Sequence, residues 1–327
     1  ITGGTLNSKT WFTLGFAGSA TAFAGVTNSG GTINVNISGT GNMEMTVYDP
    51  MSAYFEQNSG ALNLCNNAYI SFGNGGNNSG VVTFTQNGGT VTFYSDTNTT
   101  VGGTGYLKLG TGADTGTYAY NLVGGILTVP NIQRSASGGS GTFNFNGGTL
   151  KPTASTTTFM QGLSAANVQA GGAIIDTTNF NITIAQNLQD GGGGGLTKLG
   201  TGTLKLSGGY GYTGFNKVLG GGLSLSTILG APSSGGDLIV SNAALSVTTT
   251  GGTAVPAGNI NLPGTNVLNF APSVAPNSAA TCINASGTLS NTGTNVVNIS
   301  GTGLSTGVYH LITVGSGSVT TNNFVLG

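Results

Sequence analysis

Charge is scarce in this chain. Lys and Arg together supply seven residues of 327 and Asp and Glu eight, for a formal net charge of −1. That leaves no basic stripe to neutralise phosphates, which argues against nucleic-acid binding, and no polybasic segment for an anionic membrane. It also sets the chain apart from charge-rich disordered sequences. Cysteine is nearly absent: Cys65 and Cys282 stand 217 residues apart, with no CxxC pair and no neighbouring histidine, so thiol redox and metal motifs are missing. His310 is the only histidine; no triad and no zinc site of the usual ligand types can be assembled around it. The most apolar stretch, Trp11 to Val26, is interrupted by Gly, Ser and Thr and is too short for a membrane-spanning helix. Apolar residues at helical spacing are not found over any long segment.

Glycine is plentiful, at 61 residues, but without the G-X-Y period of collagen. Hydrophobic residues reach 37%, and many alternate with Thr, Ser and Asn. Ile33, Val35 and Ile37 alternate with Asn34, Asn36 and Ser38, and Phe143 and Phe145 with Thr142, Asn144 and Asn146. This period of two reads as β-strands with one face in and one face out. A Gly-Gly pair followed by a small or polar residue and then an apolar one recurs, as in Gly3-Gly4-Thr5-Leu6, Gly30-Gly31-Thr32-Ile33, Gly88-Gly89-Thr90-Val91 and Gly147-Gly148-Thr149-Leu150. Ser59-Gly60-Ala61-Leu62 is a degenerate copy, and Gly124-Gly125, Gly171-Gly172 and Gly221-Gly222 extend the series. Successive copies from residue 4 to residue 172 lie 27, 29, 29, 36, 23 and 24 residues apart. One such repeat cannot bury its own apolar face, so the repeats must stack. The expectation is an all-β parallel β-helix (β-solenoid) running continuously over residues 1–327. At roughly 25 residues and about 4.8 Å per turn, it would have about 13 turns over about 60 Å. A β-sandwich would also alternate, but it needs no single recurring motif at one spacing.

From Gly191 to Leu225 the sequence reads GGGGGLTKLGTGTLKLSGGYGYTGFNKVLGGGLSL. The run Gly195-Leu196-Thr197-Lys198, followed by Gly200, Gly202, Leu204, Leu206, Ser207 and Gly208, then Tyr212-Thr213-Gly214 and Gly222-Leu223-Ser224-Leu225, resembles the autotransporter-associated β-strand repeat. Tyr210 stands where that family often has Asn. The resemblance implies a right-handed parallel β-helix, a passenger exported to the bacterial cell surface, and it transfers no catalytic residues. The chain opens at Ile1 with neither Met nor a signal peptide, the expectation for a processed chain whose export signal is already lost.

No catalytic, cofactor-binding or metal-ligating residue is assigned, and the chain is read as a non-enzyme. β-Helical polysaccharide lyases and hydrolases need converging carboxylates. Glu44, Asp49 and Glu56 are the one local acidic group, while Asp96, Asp114, Asp176, Asp190 and Asp237 are scattered. Arg134, the only arginine, reads as a solvated loop residue. The two cysteines read as buried and unpaired, since about 40 Å of stacked turns would separate them. The expected function is extracellular and structural: a filament, surface-layer or adhesive subunit whose copies stack head to tail into a homopolymer. The alternatives are a polysaccharide-active enzyme and a carbohydrate-binding domain, with cell-surface or matrix polysaccharide as the further partner class. The inter-subunit contact is expected from Trp11, Phe12, Phe16, Phe23, Phe324, Val325 and Leu326, because open strand edges without polar caps invite pairing.

Overall fold

Short alternating strands with no helix between them have one economical way to satisfy both backbone and side chains. Each turn pairs with the next in parallel, and the apolar set of every strand faces a shared interior. The computed structural model takes this form. It describes residues 1–16, 23–47, 51–74, 79–226, 235–273, 279–301, 304–315 and 323–327. Among them there is no helical element and every strand-to-strand pairing is parallel. The protein is therefore an all-β parallel solenoid. The chain divides into two compact units, 1–167 and 168–327.

In the first unit, one sheet stacks Thr5–Ser8, Phe23–Val35 and Ser52–Leu64. It continues as paired half-strands, Val81–Gln86 with Thr90–Phe93, then Thr117–Leu122 with Ile126–Val129, then Ser140–Phe145 with Thr149–Pro152. The opposing sheet stacks Phe12–Phe16, Met43–Val47, Ile70–Asn74, Leu107–Leu109, Ile132–Gln133 and Thr156–Gln161. The register follows the glycine repeat: Leu6, Ile33, Leu62, Val91, Leu127 and Leu150 form one inward column. The longest interval, between Gly89 and Gly125, leaves this column intact. Its extra residues lie between the strands ending at Phe93 and beginning at Leu107.

The second unit stacks Ala173–Asp176, Leu196–Leu199, Asn216–Val218, Leu238–Val240, Ile260–Leu262 and Leu289–Asn291 in one sheet. A second sheet holds Ile182–Ile184, Thr203–Leu206, Gly222–Ser226, Ala244–Thr248, Asn266–Ala271, Asn295–Ile299 and Phe324–Leu326. Val255–Ala257, Thr281–Ala285 and His310–Val314 add a third. Gly221-Gly222-Leu223 is out of phase with the other copies of the repeat: it opens a strand of the second sheet, where Leu223 lies on Leu204.

The corners explain the glycines. Gly89 and Gly125 have φ of 65° and 69°, the left-handed region that disfavours a side chain. A Cβ on Gly125 would also run into the Gly89 carbonyl of the turn before. Inside, Phe55, Phe84, Tyr120 and Phe143 stack with ring centroids 4.7, 4.7 and 5.4 Å apart. Outside, asparagines form amide ladders: Asn63 donates to Asn34 and Asn34 to Asn7, each at 2.8 Å. Alternation puts the polar residues of a strand outside, but one polar column runs inside. Asn28, Gln57 and Gln86 are fully buried. Asn28 donates to Gln57 Oε1 at 3.0 Å, and Gln86 accepts from Tyr120 Oη at 2.7 Å. Each amide nitrogen also donates to a backbone carbonyl, Asn28 to Gly31, Gln57 to Ser59 and Gln86 to Ile126, which lowers the cost of burial.

Candidate functional site

Strands that pair on one side only, among the described residues, carry the candidate site. Among the described residues Thr5–Ser8 and Phe12–Phe16 pair only on one side, with the following turn. Phe324–Leu326 pairs only with Asn295–Val297 of the preceding turn. The apolar columns run out there without cover. Leu6 is 41% exposed although Ile33, Leu62 and Val91 in its column are at 0%. In the second unit the column Leu268, Val297, Leu326 goes from 1% to 8% to 84% exposed. Beside it lies an open apolar cavity of about 420 Å³ lined by Leu268, Phe270, Leu289, Val297, His310 and Leu326, among others. The sequence pattern pointed to neither this cavity nor Leu6, because both arise from the position of a rung in the stack rather than from its composition.

The seven expected contact residues fall into different places. Phe12 stands over the buried Met43 and is half-buried. Phe324 and Leu326 continue the interior columns of Asn295 and Val297, with Val325 exposed between them. Trp11 alternates with Phe12 and is 47% exposed. Phe23, 66% exposed, alternates with the inward Ala24 and lies across Tyr54 at 5.2 Å between ring centroids. Phe16 is in a strand, and its side chain lies outside what is described.

The acidic residues do not form a common site. Asp49 lies outside the described residues. Glu56 accepts from Thr27 Oγ1 at 3.2 Å. Asp96 is held well below the usual carboxylate range by the hydroxyl of Thr99 and the amides of Thr99 and Thr100. Asp190 is lowered by the amides of Gly193 and Gly192, at 2.7 and 3.1 Å. Asp237 accepts from the amide and side chain of Asn259, at 2.8 and 3.1 Å. These three tie corners and neighbouring turns. Among the described residues no three His, Cys, Asp or Glu groups come together. Arg134 is more than a solvated loop residue. Its guanidinium donates to the Gly138 and Gly139 carbonyls and, at 2.9 Å, to Gly162.

Two buried ionisable groups stand apart. Glu44 is 5% exposed; burial pushes its carboxyl up, against hydrogen bonds from Asn74 and Tyr69. Burial, followed by the neighbouring Glu44, pushes Tyr69 up to about 12. Tyr69 stacks on Tyr106 at 4.8 Å with the rings parallel within 1°, which places two half-buried tyrosines in a row on an outer column. Ser71, next to Glu44 in register, has a buried Oγ with no hydrogen-bond partner. Lys198 is fully buried between Ile175 and Val218. Its ammonium donates to the carbonyls of Leu199, Gly200 and Gly220, at 2.8, 3.0 and 3.1 Å. Cys65 and Cys282 are free and buried, with thiols raised by burial.

No protein-family model, no curated protein and no solved structure matches this chain. Among the described residues no helix is long and apolar enough to cross a membrane.

Proposed function

We propose that this protein is a structural component of the cell exterior, whose turns stack onto the turns of further copies to build a filament or surface layer. The observation that carries the reading is the stacking itself: aromatic, amide and aliphatic columns join each turn to the next through parallel strands, and a strand edge with apolar side chains beside it is a template for a further strand. The near absence of charge removes the usual barrier to such association. The resemblance of residues 191–225 to a repeat of exported passengers supports the location. The carboxylates that tie corners, and the ladders that join turn to turn, are features of a body built for mechanical continuity.

Sedimentation velocity at rising concentration, with electron microscopy of the same samples, tests the proposal. Wild-type chains form growing oligomers, and Leu326→Asp, which puts a charge on the uncovered rung, abolishes them. A wild-type protein that stays monomeric at the highest concentrations reached defeats the reading.

The stacked, half-buried Tyr69 and Tyr106 favour a second reading, adhesion to polysaccharide through an outer column. A pull-down with insoluble polysaccharides that is lost in Tyr106→Ala supports it, and equal retention of both proteins removes it.

A further inference from the structure

A glycine inside a β-strand needs a reason, because it weakens the strand and packs against nothing. Gly25 lies within Phe23–Val35 in regular register with Tyr54, away from the irregularity between Asn28 and Thr32. Its φ is outside the left-handed region, so neither a corner nor a bulge calls for it. The Tyr54 ring does. A Cβ on Gly25 would lie 1.9, 2.3 and 2.5 Å from Cε1, Cζ and Cδ1 of that ring. Tyr54 therefore leans across the sheet onto the glycine of the turn before. A ring laid over a strand turns a face outwards, where one standing off the sheet turns an edge.

Phe23 joins it. The two rings meet with centroids 5.2 Å apart and planes tilted by 30°, and Phe23 is 66% exposed. Two residues further along the same pair of strands, Thr27 Oγ1 donates to Glu56 Oε2 at 3.2 Å. The column of Tyr54 continues with Thr83, Ala119 and Thr142, so no large side chain rises beside the ring in that direction. The face is lateral. A further turn ahead of residues 23–28 would pair with their backbone and stand beside the rings, not over them.

We propose that Phe23, Tyr54 and Glu56 form a binding site for a pyranose unit of a neutral, β-1,4-linked polysaccharide. The C–H face of the sugar packs on the aromatic rings. Its equatorial hydroxyls reach the Glu56 carboxylate and the Thr27 hydroxyl at the rim. The same carboxylate repels acidic polymers. The site shares its ligand class with the adhesion reading but none of its residues, since Tyr69 and Tyr106 directly precede strands of the opposing sheet. It rests neither on that column nor on stacking between copies.

Depletion of the full chain from solution by insoluble cellulose and by insoluble chitin, against a spin without polysaccharide, tests the site. Wild type binds at least one of the two, soluble oligosaccharides of that polymer compete, and polygalacturonate does not. Tyr54→Phe keeps the affinity, and Tyr54→Ala lowers it about tenfold or more. Gly25→Ala tests the geometry. Alanine costs a strand less than glycine, so circular dichroism stays that of wild type, while the new methyl displaces the ring and binding falls as in Tyr54→Ala. Wild type left in solution by both polymers overturns the site. Binding that survives both Tyr54→Ala and Gly25→Ala also overturns it, and loss in Tyr106→Ala alone would place the ligand on the other column. Loss in Tyr54→Ala with full binding by Gly25→Ala overturns the leaning ring, and competition by polygalacturonate overturns the role of Glu56.

Discussion

A lysine facing the interior of a solenoid should tie the stability of the second unit to pH in an unusual direction. Lys198 is fully buried, and its neighbours in register are Ile175 and Val218. Removal from water lowers its ammonium to about 8 from an ordinary lysine value of 10.5, although the Asp176 charge works the other way. The native protein therefore gives up this proton near pH 8, and the unfolded chain only near 10.5. Between those values the unfolded state binds more protons, so the Lys198 contribution to stability rises with pH; below about 8 it is flat. The gap from 10.5 to about 8 corresponds to about 3 kcal/mol in full. Raising the pH from 7.5 to 9.5 should recover about 2 kcal/mol of it.

Burial also raises the thiols of Cys65 and Cys282, so they add their own pH dependence to wild type and variant alike. The quantity to measure is the difference between wild type and Lys198→Met, by urea unfolding at pH 7.5, 8.5 and 9.5. Equal urea slopes are the condition for comparing free energies. At pH 7.5 methionine takes the ammonium from the carbonyls of Leu199, Gly200 and Gly220 but also removes a buried charge. The absolute change is a difference of opposed effects, each of about 1–3 kcal/mol or more. The slope is diagnostic: wild type gains on the variant with rising pH. A difference that stays constant from 7.5 to 9.5 refutes the reasoning.

Glu44→Gln should be more stable than wild type at pH 7. The native carboxyl is raised by burial, so ionisation costs the fold stability as pH climbs from about 4.5 through the native value; thermal melts at pH 7 should favour the variant, and melts at pH 4 should not. Gly125→Ala forces a side chain onto a left-handed corner and into the Gly89 carbonyl, and should lose at least about 2 kcal/mol in chemical denaturation. Gly193→Ala has a similar φ, 77°, with nothing within 4 Å of the new Cβ; it should lose about 1 kcal/mol, the strain without the clash. Phe84→Ala removes the ring between Phe55 and Tyr120 and should cost about 3–5 kcal/mol by the same assay.

Much of the fold could be read from residues alone, because two of its determinants are local. Alternation settles which side chains of a strand share a face, as Ile33, Val35, Asn34 and Asn36 illustrate. The glycine repeat marks corners because a left-handed φ and a carbonyl close by are both intolerant of Cβ. Its spacing therefore equals the register from Leu6 to Leu150. What stands above and below a residue was decided only in three dimensions. Asn28, Gln57 and Gln86 look like outward polar positions until stacking places them in one buried column, where Asn28 donates to Gln57 and Gln86 accepts from Tyr120. Lys198 and Arg134 look like solvent-facing charges until the next turn brings carbonyls to their tips. Leu6 and Leu326 differ from Ile33 and Val297 in no property of composition. They are exposed because the stack covers a side chain from the turn before and the turn after, and each of these has a neighbour on one side alone among the described residues.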